Sequence, residues 1–105
     1  MKLEATLARG LDRLPLDREQ RARARTLAQD AVASDIGGAL DDDRGVAAAI
    51  AYAIVYVDHI PLTQTEVASC FRVSVAAVRG RFSELRSRLD LTRGDSRYAT
   101  RRDSS

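Results

Sequence analysis

The sequence is poor in the residues that build most catalytic and extracellular sites. Among its 105 residues are one Cys, one His, one Lys, two Pro and no Trp. A lone Cys70 leaves no disulfide framework and no cysteine-based zinc site. His59 has no second His or nearby Cys with which to complete a catalytic or metal constellation. It reads as a residue of a helix C-terminal turn, where its protonated form favours the helix dipole. No nucleophile–base pair, carboxylate pair or metal cluster assembles from the sequence, so no enzyme and no cofactor is expected. The N-terminal MKLEATLARGLDRL lacks the unbroken apolar core of a signal peptide. The longest apolar run, Gly45 to Val57, is too short for a bilayer span of roughly 20 residues. The expectation is a cytoplasmic, prokaryotic protein without a membrane partner.

That run, GVAAAIAYAIVYV, is the most informative stretch that is present. Of its 13 residues 12 are apolar, and they cover every side of a helix. Such a helix belongs in a membrane or in the middle of a bundle, and its length selects the bundle. A chain of this size forms one domain that buries roughly 65% of its unfolded surface. The hydrophobic content is 45%, largely Ala, Leu and Val, which favours close helix packing over a sheet-based core. The 30% charged content suits a folded soluble domain. The net charge of +2 is unevenly placed. Arginines crowd residues 72–102 against Glu84, Asp90 and Asp95, while residues 30–43 hold five Asp and no basic residue. This asymmetry points to an anionic partner for the C-terminal half, with an ordinary solvated surface as the plain alternative.

Leu3, Leu7, Leu11 and Leu14 mark one face of a first helix, weakened by Gly10 and stopped by Pro15. Asp17 and Gln20 have capping-box spacing and open a second helix, about Arg18 to Ser34. Its first half carries Arg18, Arg21, Arg23 and Arg25, which read as an anion site or, more simply, as a solvated face. Gly37-Gly38 breaks the pattern. Asp41-Asp42-Asp43 then leads into the apolar helix. The EF-hand's alternating ligands and distal Glu are missing here, and acids before a helix N-terminus are stabilising by themselves, so no metal is assigned. The apolar helix stops near Asp58-His59-Ile60-Pro61, because a residue before proline avoids the α region.

Thr63 and Glu66 form a second capping-box pattern, starting a short helix from about Gln64 to Phe71 with Val67, Ala68 and Phe71 inward. Arg72-Val73-Ser74 is the turn, and Ser74 caps the last helix. There Val75, Val78, Phe82, Leu85 and Leu89 give the cleanest helical period in the chain. Two helices on a three-residue turn, with small Ala68 and apolar Val73, make a helix–turn–helix pattern. Arg72 stands where Gly is usual, at a cost of about 1 kcal/mol if φ is positive. On the outward side Ala76, Gly80, Ser83 and Ser87 form a strip of small residues. Arg79 and Arg86 flank it on one side, Arg81 and Arg88 on the other. Either the helix seats in a DNA groove with arginines on phosphates, or a partner helix packs into the strip. An ordinary exposed helix is the third option.

The run from Arg44 to Leu89 resembles the last three helices of a transcription factor IIB cyclin-like repeat. Ala47–Ala49 match that family's central-helix block, and Thr63, Gln64, Glu66, Val67 and Ala68 match its T-Q-x-E-[IVL]-A. Val73, Ser74, Val78, Arg79, Arg81, Phe82, Glu84 and Leu85 match the motif of its last helix. The run is similar also to prokaryotic domains with an AAA helix and a short helix–turn–helix. The resemblance implies an all-α, five-helix cyclin-like bundle around a central apolar helix, with a C-terminal helix–turn–helix. By length the chain reads as a single domain over residues 1–90, after which residues 91–105, polar and without a helical period, read as a flexible basic tail. There Arg93, Arg97, Arg101 and Arg102 add to an anionic contact, and Tyr98 packs back on the domain.

By position in the family, Ser74, Val75, Arg79 and Arg81 would lie nearest DNA. The helix face adds Gly80, Ser83 and Arg86 to that set. The family has two repeats and a zinc ribbon, and often Thr and a basic residue at the positions of Ala77 and Ser83. These departures point to a single-repeat relative or stand-alone module. The expected function is a DNA-binding, transcription-related module with duplex DNA as partner. The alternative is a protein–protein interaction module using the cyclin-like surface or the small-residue strip, without DNA binding. A protein of the transcription machinery is a further expected partner. The oligomeric state is open.

Overall fold

Each helix of this chain has its own start and stop, and most of these are visible as capping bonds. The computed structural model describes residues 2–34 and 43–99. These contain α1 (Lys2–Leu11), α2 (Arg18–Ala33), α3 (Asp43–Val57), α4 (Gln64–Phe71) and α5 (Val75–Leu89), and no strand. The all-α expectation with five helices is met. No described helix is long and apolar enough to cross a membrane.

Leu3, Leu7 and Leu11 bury one face of α1, and Leu14 is buried in the turn beyond it. The helix closes before Pro15, through Arg13 N–H to Gly10 O (3.0 Å) and Leu14 N–H to Leu11 O (3.1 Å). Such tightened bonds occupy carbonyls that a helix end leaves open. At the start of α2 the full capping box forms. The Gln20 N–H donates to Asp17 Oδ1 at 2.8 Å, and Asp17 N–H donates to Gln20 Oε1 at 3.0 Å. The same Gln20 donates its side-chain amide to buried Asp58 Oδ2 at 3.1 Å, tying the start of α2 to the end of α3.

Helix α3 packs against α1, α2, α4 and α5. Val46 to Ala51, Ala53 to Val55 and Val57 are buried, with Ile50 and Ile54 fully so. Burying each such branched side chain is worth about 1.5–3 kcal/mol, and the alanines between them let neighbouring backbones come close. Tyr52 and Tyr56 are half-buried and meet Phe82 of α5 edge-on, at centroid distances of 5.0 and 5.2 Å. The end of α3 turns on His59, whose φ is 55°, with Ile60 N–H bonded to Val55 O at 3.0 Å. This left-handed closure is the usual helix stop. His59 is thus a C-terminal turn residue, acting through its backbone.

Residues 91–99, the described part of the expected tail, pack against the helices. Leu91, Asp95 and Tyr98 are buried. Gly94 N–H donates to Val57 O at 2.9 Å, pinning the segment to the end of α3. The Asp95 carboxylate accepts from Thr92 N–H (3.3 Å) and Arg97 N–H (3.1 Å) and pairs with the Arg97 guanidinium at 2.8 Å. Arg97 also donates to Leu89 O at 2.6 Å, closing the end of α5. The Tyr98 hydroxyl donates to Asp30 Oδ2 at 2.5 Å, so Tyr98 packs back as expected. The segment has no helical period because two apolar anchors and a set of side-chain-to-backbone bonds hold it instead. Gly37-Gly38, Asp41, Asp42, Arg101 and Arg102 lie outside the described residues.

Candidate nucleic-acid interface

The α4–turn–α5 unit is assembled from local bonds. Thr63 Oγ1 accepts the Glu66 N–H at 3.1 Å, and its hydroxyl donates to Glu66 Oε1 at 3.2 Å. The carboxylate therefore answers the Thr63 hydroxyl rather than its backbone N–H, and only half of the expected capping box forms. Val67, Ala68 and Phe71 are buried as the spacing requires. Arg72 takes φ 58° and ψ 45°, the left-handed conformation that its position demanded. Its N–H bonds Ser69 O at 3.2 Å, and Val73 N–H bonds Ala68 O at 3.1 Å, which terminates α4. Ser74 Oγ accepts the Ala77 N–H at 3.0 Å and starts α5.

On α5, Val78, Phe82 and Leu85 are buried, while Val75 and Leu89 at the two ends are half-buried. Ala76, Gly80, Ser83 and Ser87 are all exposed. A Cβ built on Gly80 would meet nothing within 4 Å, so the strip is open at its middle.

The two arginine flanks differ. Arg81 is half-buried and pairs with Glu84 at 3.3 Å. Arg88 donates to the Ser34 carbonyl at 3.3 Å. That side of the helix is committed within the molecule. On the other side, Arg79 is exposed and makes no hydrogen bond or ion pair among the described residues. Arg86 lies 5.7 Å from the Tyr56 ring centroid and Arg93 lies 5.2 Å from it. Neither has an acidic partner among the described residues.

Of the residues expected at DNA, Arg79, Gly80, Ser83 and Arg86 share exposed surface on one helix. Ser74 and Val75 stand at its N-terminus, the first with its hydroxyl engaged in the cap and the second half-buried. Arg81 turns towards Glu84 on the far flank. In the sequence Tyr56 belongs to the apolar helix and Arg93 to the segment after α5, and the fold brings both beside Arg86. No local signal joins them, because they come from three separate segments.

Two of the four arginines of α2 are engaged within the molecule. Arg21 pairs with Asp12 at 2.9 Å and donates to Leu16 O at 3.3 Å. Arg23 lies 3.9 Å from Glu19 and donates to Arg97 O at 3.5 Å. Arg18 and Arg25 remain exposed along a shallow depression beside Leu16.

Compared with family models, curated proteins and solved structures, the chain matches none of them.

Proposed function

We propose that this chain is a helix–turn–helix module that binds duplex DNA in a transcription-related role, similar to one cyclin-like repeat of transcription factor IIB. The observation that carries the reading is the exposed side of α5, where small residues lie beside two arginines whose guanidinium donors are unspent. With α3 as the core helix of such a repeat, α4 braces α5, and α5 enters the major groove with Ser74 and Val75 foremost. Arg79 and Arg86 hold phosphates on one side. Arg81 reaches DNA only by leaving Glu84, which makes it the lesser contributor.

Base discrimination in this reading is modest, because bidentate base contacts need long polar side chains and the strip has Ala76, Gly80, Ser83 and Ser87. Affinity comes from phosphate neutralisation and falls steeply with salt. The test is a salt titration against a fluorescent random-sequence duplex. Binding in roughly the micromolar range at low salt, weakened by Arg79→Ala and lost as salt rises, is the expected result. No binding at low salt, together with a dimer in solution, would replace this reading with the protein–protein module.

A further inference from the structure

We infer that the groove between α5, the end of α3 and residues 91–94 is a phosphate-binding site built around Arg86, Tyr56 and Arg93. This deepens the DNA-binding reading and rests on it for the source of the phosphate, a phosphodiester of the duplex backbone. Two guanidiniums are brought to one ring, at 5.7 and 5.2 Å from its centroid. Stacking on the ring orients a guanidinium but leaves its in-plane N–H donors unused. Neither side chain makes a hydrogen bond or ion pair among the described residues. The hydroxyl-bearing residues Ser83, Ser87 and Thr92 line the same groove. Asp90 lines it too, but lies beyond ion-pair distance of both arginines. Both guanidiniums border one groove with their donors unspent, and a phosphate there accepts charge-assisted bonds from either.

The frame is held from three sides. Leu91 is buried and its N–H bonds Arg86 O at 3.1 Å, which fixes the loop to the same turn of α5 that presents Arg86. Gly94 N–H bonds Val57 O at 2.9 Å, next to Tyr56. Asp95 is buried and accepts the Thr92 N–H. Arg93 is therefore presented by an anchored loop, and Ser83, which lines the groove, lies one turn along α5 from Arg79.

Two measurements test this. The first is the slope of log affinity for a random duplex against log salt, in the wild type and in Arg86→Ala, Arg93→Ala and the double variant. Each single variant should lower the slope by less than the value of one phosphate contact, because the other arginine still holds the phosphate. The double variant should lower it by about 0.9, the value of one full contact. Arg18→Ala, an equal charge loss on α2, should leave the slope unchanged. The second is a titration with inorganic phosphate, followed by NMR at the arginine Nε–H groups and the Tyr56 ring. Signals of Arg86, Arg93 and Tyr56 should move, and that of Arg18 should not.

Duplex binding that responds to Arg79→Ala but to neither groove variant, with no phosphate shifts, would overturn the groove and leave the DNA reading standing. Phosphate shifts at these residues without any duplex binding would keep the phosphate site and overturn the DNA reading.

Discussion

The ring of Phe71, the last residue of α4, lies on the bare Cα of Gly10 in α1. A Cβ placed on Gly10 would overlap three atoms of that ring. Gly10 is buried and Phe71 is 4% exposed, so the ring has little room to yield. The contact sets how closely α1 approaches the end of α4, immediately before the Arg72 turn. In an exposed helix Gly10→Ala would stabilise by about 1 kcal/mol. Here the overlap should win, with a net loss of about 1–3 kcal/mol. Urea unfolding measures it, and a variant more stable than the parent would show that the packing is absent.

Arg72→Gly should have the opposite sign. Arg72 is exposed and held at φ 58°, where a side chain strains the backbone and glycine does not. The expected gain is about 1 kcal/mol, or a rise in Tm of about 4–8 °C for a domain of this size. An unchanged or lowered melting temperature would mean that the Arg72 side chain contributes contacts worth as much as the strain.

The two flanks of α5 should respond unequally to alanine. Arg79→Ala removes a cation without an ion pair among the described residues and should lower the salt slope of duplex binding by about 0.9. Arg86→Ala should lower it by less, because Arg93 still holds the shared phosphate. Arg81→Ala and Arg88→Ala remove groups already used by Glu84 and the Ser34 carbonyl. Their main effect should be on thermal stability, with a smaller change in DNA affinity. Equal losses of affinity on both flanks would refute the assignment.

The segment 91–99 should make stability depend on pH at both extremes. A hydrogen bond from the Arg97 guanidinium, the largest influence, holds the Asp95 carboxyl below its ordinary value. Its stabilising contribution is present above the unfolded value of about 3.9 and is lost as pH falls through the lower folded value. Burial, and then the bond to Asp30, push the Tyr98 phenol up. The unfolded chain therefore ionises first, and stability declines as pH rises above about 10. Melting temperatures across pH should show both losses. Asp95→Asn should flatten the acid limb and Tyr98→Phe the alkaline one, each from a lower plateau. Limbs unaltered in these variants would place the titrating groups elsewhere.

What the sequence determined by itself is what neighbours along the chain decide. The caps at Asp17, Thr63 and Ser74, the left-handed Arg72 and the buried stripe of α5 all act within one or two helical turns. A short loop of chain needs no distant partner to form them, so residue type and spacing were sufficient. Tertiary structure alone decided the rest. Gly10, which weakens its helix in isolation, became a close-packing point only because Phe71 arrives there. Polar residues 91–99 became part of the domain through Gly94 on Val57 and Tyr98 on Asp30. Of four similar arginines on α5, Arg88 was engaged by a carbonyl 54 positions away, and Arg86 was placed with Arg93 over Tyr56. Which charges stay available depends on which distant segments fold against them, and no local pattern carries that information.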